Sequence, residues 1–443
     1  MYKKTIIILL IILFASMFYV NCGEETKEKI VLKVTFWEIG PGRKAFDSIF
    51  RKFEADHPGV KIKGIHVLSS AYGKKVLTMI ASGTAPDIIR VGSNNLGTFI
   101  LKKVLLPLDN YIKNDKFIHL NEYFEVPMKQ YKYNGEVFGK GEIYGMCTDW
   151  SPDACIFYNK EIFNRANIPY PKKSLSWEEL LTIAKKLTIR DSEGRAKQFG
   201  IYIPYKIFSL IFVLQNKGRI FSEDGKRCLL DSPEAIEGIK FAIELSTKYK
   251  VAPSYSEAME QSQDSADILF RTGRVGMFLS GRYRVPILKE FAPQIKFGVA
   301  PITHKKIRAN IIGGACGWAI CAATKYKKLS WELFEYLLSP EIGQKEMAKT
   351  GYNIPSHKET AYSDVFPNPQ NVNKVFFEEL KYSFPPTVLM SPYIAKDEWQ
   401  EIFVEEYDEM LLQKKTVEEG CKDIAKRINA IIKQNIQEGG FNE

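Results

Sequence analysis

The chain has 443 residues, 45% apolar and 26% charged, a balance that suits a soluble globular protein with room for two or three domains. The formal net charge is +10, but lysines alternate with glutamates and there is no dense basic block or nucleic-acid motif, so no nucleic-acid partner is expected. Seven cysteines and five histidines are scattered without C-x-x-C pairs, which leaves no zinc or redox site, no metal and no cofactor to expect.

At the amino terminus, Lys3 and Lys4 precede residues 5–20, which carry no charge. As a helix that run spans roughly 24 Å, short of a hydrocarbon core of ~30 Å, so residues 1–21 read as a secretory signal rather than a membrane span. Cys22 follows directly and heads a charged linker, residues 22–29. A cysteine in that place resembles a bacterial lipoprotein cleavage site, where the thiol is diacylated. Tyr19 and Asn21 stand where that motif favours Leu and a small residue. The expectation is an exported lipoprotein facing the periplasm or the cell exterior; an uncleaved anchor and plain secretion are the alternatives. The other six cysteines are expected as core thiols, with bridges as the alternative.

Ile30–Phe36 is a β-branched run and the first expected strand. Phe46, Ile49, Phe50 and Phe53 recur at i, i+3, i+4 and i+7, one face of a helix that His57-Pro58-Gly59 stops. Residues 60–67 read as a second strand. Tyr72, Val76, Met79 and Ile80 share a face of the next helix, which Gly83 closes, and residues 87–91 form a third strand. This alternation argues for an α/β fold with a parallel sheet covered by helices. Ligands of such sheets gather beyond the carboxyl ends of the strands, which selects Trp37 and Glu38 after the first and Ser93, Asn94 and Asn95 after the third. Trp37 offers an aromatic face to a ligand, and the polar side chains offer hydrogen bonds. The competing place for Trp37 is the core.

Residues 156–188, IFYNKEIFNRANIPYPKKSLSWEELLTIAKKLT, read as strand, turn, short helix, proline link and amphipathic helix. Ser176 and Glu179 make an S-x-x-E capping box, with Trp177, Leu180, Ala184 and Leu187 on the apolar face. Residues 273–284, GRVGMFLSGRYR, give a buried strand and then Tyr283 between Arg282 and Arg284. The two arginines either meet a phosphate or carboxylate or sit solvated on a loop. In residues 311–343, Gly313, Gly314 and Gly317 let backbone approach a ligand or hinge. A strand holding Trp318 follows, and then a helix with Trp331, Phe334 and Leu338 on one face. Residues 396–409 and 416–434 read as closing helices, the second striped by Val417, Cys421, Ile424, Ile428 and Ile431.

In this order the segments resemble the family 1 extracellular solute-binding proteins, receptors that feed sugars and related solutes to ABC importers. The signature is residues 156–188, where an apolar run ending in Tyr-Asn-Lys leads through a proline link to a Trp-Glu-Glu-Leu helix. FRKFEADHPGVKI (50–62), IASGTAPDIIRV (80–91), the Tyr-Gly crossover at 143–150, residues 273–284, the return at 311–343 and GYNIPSHKE (351–359) fall in family order. The resemblance implies a two-lobed periplasmic binding protein type II fold, with parallel-rich sheets flanked by helices and a ligand cleft between discontinuous lobes. One lobe is expected from residues 30–148 and 311–340, the other from 149–310 and 341–443.

By the same resemblance Asp149 and Trp150 fall in a binding loop, and Tyr283 is a stacking aromatic where the family usually has Trp. Gly314, Trp318, Tyr352 and Asn353 fall near the cleft. Asn94 and Asn95 stand where maltose-type members typically carry charged ligand contacts, so the same ligand is not implied. The implied function is non-enzymatic: a monomeric receptor that binds a carbohydrate and hands it to the transmembrane subunits of an ABC permease. Two readings compete with it. One is an exported glycosidase or lyase using a carboxylate pair, for which no nucleophile motif appears. The other is a sugar-sensing receptor that works through a two-component kinase.

Overall fold

The computed structural model describes residues 29–204, 206–259 and 265–438. The leader, Cys22 and the linker through residue 28 lie outside them. Eleven strands build the two main sheets: β1 (Ile30–Phe36), β2 (Val60–His66), β3 (Ile88–Val91), β4 (Met146–Trp150), β5 (Cys155–Asn159), β6 (Ile189–Arg190), β7 (Ala196–Tyr202), β8 (Val275–Ser280), β9 (Phe297–Ala300), β10 (Cys316–Ile320) and β11 (Ile354–Pro355). The first sheet runs β11-β4-β10-β3-β1-β2 and the second β9-β5-β8-β7-β6.

Helices cover both sheets where the apolar spacing puts them. In the helix Gly40–Asp56, Phe46, Ile49, Phe50 and Phe53 are buried. In Tyr72–Ala81, Tyr72, Val76 and Met79 are buried, and Gly83 follows at φ +71°, a left-handed conformation that costs glycine nothing. Both halves of the Ser176–Glu179 capping box form at the start of Trp177–Leu187. The Ala-Pro-Asp element locks the first sheet: Asp87 accepts from the Lys33 amide at 2.8 Å and from the Thr324 hydroxyl at 2.5 Å. It thereby holds the start of β3 between β1 and the end of β10.

Parallel pairing joins β1 to β2 and β3, and β7 to β8. The strands that enter from the other lobe run the opposite way: β10 is antiparallel to β3 and β4, and β5 to β8 and β9. The reason is direction of travel. Local βαβ strands run toward the cleft, whereas a strand that has just crossed runs away from it.

The chain crosses first between β4 and β5 and then between residues 311 and 316. These two crossovers form a hydrogen-bonded ribbon, with the Asp153 amide on the Ile311 carbonyl (2.8 Å) and the Gly313 amide on that of Ser151 (3.2 Å). The expectation that residues 341–443 all join the second lobe is corrected at its start. The helix Lys345–Thr350 packs on Gly40–Asp56, and β11 pairs with β4 in the first sheet. The closing helices Lys396–Leu411 and Val417–Gln437 do pack in the second lobe, against Pro233–Thr247. In the last helix Ile432 rather than Ile431 is fully buried, continuing the stripe of Cys421, Ile424 and Ile428.

All six described cysteines are free thiols, five of them buried and Cys316 partly so. No helix among the described residues is long and apolar enough to cross a membrane.

Candidate functional site

A cavity of about 740 Å³ opens where the two lobes face each other. Ser93 and Asn94 of the first lobe line one side, just past the end of β3. Asp153 and Gly313 come from the crossover ribbon. The second lobe supplies Tyr202 at the end of β7, Tyr283 three residues past β8, Tyr255, and Lys396, Gln400 and Tyr407 from the first closing helix. The chamber thus lies beyond strand ends of both lobes, and its volume falls within the roughly 300–1,000 Å³ typical of small-molecule sites.

Both lysines of this chamber are tied to a neighbouring side chain. Lys396 is nearly inaccessible, and its ammonium donates to the Ser93 hydroxyl at 3.0 Å, tying one lobe to the other. Burial pushes the Asp153 carboxyl up to about 7 and the Lys396 ammonium down to about 8, each shift partly offset by the other group's charge. Lys206 is paired with Asp408, with its ammonium 5.8 Å from the centre of the Tyr255 ring. Gly313 is a spatial necessity. A Cβ there would lie 1.5 Å from the Asp153 carboxylate, so the carboxylate occupies the place of the missing side chain.

Ser93, Asn94, Tyr283 and Gly313 are the sequence-expected residues that line this chamber. Asn95 turns away and accepts from the Gly92 amide (3.2 Å) as a loop brace. Glu38, Asp149 and Asn353 gather instead around Arg90, a β3 residue that is 1% exposed. Its guanidinium donates to Glu38 (2.7 Å), Thr148 (2.6 Å) and Asp149 (2.8 Å), and the Asn353 amide donates to the other oxygen of Asp149 at 2.8 Å. Trp37, half-buried, stands edge-on to Tyr72 with ring centres 4.8 Å apart. Gly314 packs against this group, since a Cβ there would meet Ser151 at 3.2 Å and Asn353 at 3.4 Å. Tyr352 is half-buried and outside the chamber lining.

Two expectations are corrected. Trp150 and Trp318 are wholly inaccessible. Trp150 packs edge-on to Phe124, and Trp318 lies between Phe46 and the Arg90 guanidinium, 5.2 Å from its ring. Both belong to the packing behind the cleft. The loop arginines also differ from both readings given for them. Arg282 and Arg284 are buried, and the Arg282 guanidinium donates to the Gly351 and Pro367 carbonyls and to Asn373. Desolvation with no facing carboxylate lowers its pKa to about 9. Arg282 is a strut between the lobes, not an anion ligand.

The reading missed Asp153 and Lys396. The Gly313-Gly314 pair signalled a close approach but not by what, and Lys396 looked like the surface start of a helix.

A two-lobed α/β molecule with its chamber between the lobes, reached from strand ends and crossovers, defines the class of ligand-binding receptors. Residues 48–373 match the model of the bacterial extracellular solute-binding proteins, and the chain belongs to that family. A putative binding protein of Brucella abortus is 27% identical over 88% of this chain and 90% of its own length. An sn-glycerol-3-phosphate-binding periplasmic protein of Yersinia pseudotuberculosis is 26% identical over 73% of this chain and 74% of its own. Among solved structures, an ABC substrate-binding protein of Listeria monocytogenes in complex with cycloalternan superposes with a TM-score of 0.78 at 24% identity, covering 91% of this chain and 98% of that one. The maltose/maltodextrin-binding domain of Bdellovibrio bacteriovorus bound to maltotriose gives 0.74 at 18%, covering 92% and 100%.

Proposed function

We propose that this protein is the receptor of an ABC importer, binding a neutral sugar or oligosaccharide between its lobes and presenting the closed form to the transmembrane subunits of the permease. The carrying observation is the chamber lining: tyrosine rings beside hydroxyl and amide groups, with Lys206 paired to Asp408 and Lys396 hydrogen-bonded to Ser93. Aromatic faces suit the C–H faces of sugars, and the short polar side chains suit their hydroxyls. A phosphate ester would need a cation left over, and Lys206 and Lys396 are both already engaged. The same lining supports binding over hydrolysis, because Asp153 is the only carboxylate among its described residues and glycosidases work with two.

The receptor works as an exported monomer held to the membrane by a diacylated Cys22. Expressed with its leader in a bacterial host, it should take up labelled palmitate. A Cys22→Ser form of mature size that stayed equally membrane-bound would overturn the anchor.

A thermal-shift panel of sugars and sugar phosphates tests the main reading. A ligand at ~100 times its Kd stabilises by about 2.7 kcal/mol, a melting shift of roughly 3 °C for a chain of this length. The bound sugar should be recovered intact. Cleavage or isomerisation at catalytic yield would replace receptor with enzyme.

A further inference from the structure

We infer that Arg282 is a positioning residue for ligand binding: it fixes the turn that carries Tyr283 at the chamber wall and ties the placement of that ring to the first lobe. This rests on the carbohydrate reading above. Arg282 is 1% exposed, yet it stands one residue before a side chain that lines the chamber. Every nitrogen of its guanidinium is used. Nε donates to the Asn373 side-chain oxygen at 2.8 Å, Nη1 to the Gly351 carbonyl at 2.5 Å and Nη2 to the Pro367 carbonyl at 2.7 Å.

Burying a cation on neutral acceptors is unfavourable, and an apolar side chain of similar volume would fill the space without that penalty. What only a guanidinium supplies is a planar fork that grips several points at once. Its three acceptors span the stretch between the helices Lys345–Thr350 and Asn373–Glu379. Gly351 caps the first of these at φ +67°, and that helix packs on Gly40–Asp56 in the first lobe. The fork is therefore seated partly in the first lobe, while the Arg282 backbone follows β8 of the second.

The backbone of the turn is held as firmly. The Arg282 amide donates to the Ser151 hydroxyl at 2.7 Å, which fastens the turn to the first crossover. A Cβ at Gly281 would lie 2.7 Å from that hydroxyl, 2.7 Å from the Tyr283 ring and 2.8 Å from the Pro152 carbonyl, so the ring folds back over Gly281. The Arg284 and Val285 amides then donate to the Gly281 and Arg282 carbonyls at 3.2 and 3.0 Å and start the next helix. Tyr283 is left with little backbone freedom between anchored neighbours, and its ring goes where Arg282 sets the turn. A shift of the first lobe reaches the ring through the fork, and a sugar that binds the placed ring better favours the same arrangement of lobes.

Fluorine NMR of protein labelled with fluorotyrosine, with no sugar present, tests this. Tyr283→Phe identifies the Tyr283 resonance, and Tyr170→Phe identifies a remote reference. Arg282→Lys, which keeps the charge but not the fork, and Arg282→Met, which keeps the stem, should each shift and broaden the Tyr283 resonance while Tyr170 stays as in wild type. Should either variant fail to fold, Asn373→Ala removes a single acceptor outside the chamber lining and should move the same resonance. Calorimetry then uses the sugar with the largest shift in the thermal panel. Arg282→Lys should weaken its binding about tenfold in the wild-type background and less than about twofold in a Tyr283→Ala background, the non-additivity expected when one residue acts through another. A Tyr283 resonance that stays in place in the folded variants, or equal losses of affinity in both backgrounds, would reduce Arg282 to a fastening of the fold and overturn the proposal. If no sugar of the panel binds, the carbohydrate reading falls, and the fluorine spectra still decide whether Arg282 places the ring.

Discussion

The Lys396 ammonium, at the start of the first closing helix, donates across the cleft to the Ser93 hydroxyl 3.0 Å away, just past the end of β3. The two residues are 303 positions apart in sequence and belong to different lobes. A charged donor on a neutral acceptor is worth about 1.5–3 kcal/mol, and it favours the conformation in which the lobes touch. Lys396→Met keeps most of the buried stem and loses the bond. Ligand affinity is expected to fall roughly 10–150-fold, read by calorimetry at pH 6, where the wild-type ammonium is charged. An unchanged affinity would mean that the bond takes no part in closure.

Asp153 gives a pH signature. Its folded pKa of about 7 lies above the ordinary carboxylate value because burial disfavours the anion. Between about pH 4 and 7 the unfolded chain has lost this proton and the folded chain keeps it. Stability from this group therefore falls as pH rises through that window, by at most about 1.4 kcal/mol per unit. Asp153→Asn removes the titration, so urea unfolding should show the variant gaining on wild type from pH 4 to 7. A constant gap would place the folded pKa at its ordinary value.

Arg90 is held by three acceptors, and truncating it strands Glu38 and Asp149 beside three aromatic rings. Arg90→Ala should cost about 3–5 kcal/mol of folding stability, the usual penalty for breaking a buried pair from one side. Lysine is a poor substitute, since one ammonium cannot reproduce a planar fork aimed at three oxygens. A loss below 1 kcal/mol in urea unfolding would show that solvent reaches the network.

These long-range ties mark the limit of what the chain discloses one stretch at a time. The first strand, the apolar helix faces and the Ser176–Glu179 box depend on neighbours within a turn or two, and they stand where periodicity puts them. Ser93 and Asn94 are accessible from the strand-end rule, which also selects Trp37, Glu38 and Asn95 outside the chamber, and Tyr283 from the family resemblance. Arg90 is not, because its partners lie 52 to 59 residues away and an arginine in Ile-Ile-Arg-Val gives no sign of burial. Trp150 and Trp318 sit in strands, and local alternation does not say which sheet face looks toward a ligand once both faces are covered.

The neighbouring glycines 313 and 314 should respond differently to the same methyl group. At Gly313 the Asp153 carboxylate fills the space, so Gly313→Ala must displace an ionisable group and part the crossover ribbon. A cost above about 2 kcal/mol is expected, in the range of overpacked sites. At Gly314 the nearest atom is 3.2 Å away, which a few tenths of an ångström relieve. Gly314→Ala should stay within about 1 kcal/mol of wild type. Equal effects in thermal unfolding would mean that the ribbon yields as a whole.

Tyr283 decides whether the chamber is a stacking site. Its ring is half-buried at the mouth of a helix, and Gly281 gives it room, since a Cβ there would lie 2.7 Å from the ring. The Arg284 guanidinium lies 5.5 Å from the ring centre, and the chamber lies beside it. A sugar's apolar C–H face packs on such a ring, which loses little entropy because it is already placed. Tyr283→Ala should weaken ligand binding by about 1–3 kcal/mol, the burial of one side chain, or roughly 5–150-fold in affinity. If the ring serves the core instead, the pattern reverses. Affinity then stays unchanged while folding stability drops by about 3–5 kcal/mol, as for other buried aromatics. Calorimetric titration and urea unfolding on the same variant separate the two. Tyr283→Phe sharpens the test: stacking survives the loss of the hydroxyl, so a variant that binds as weakly as Tyr283→Ala would assign the contact to a hydrogen bond rather than the ring.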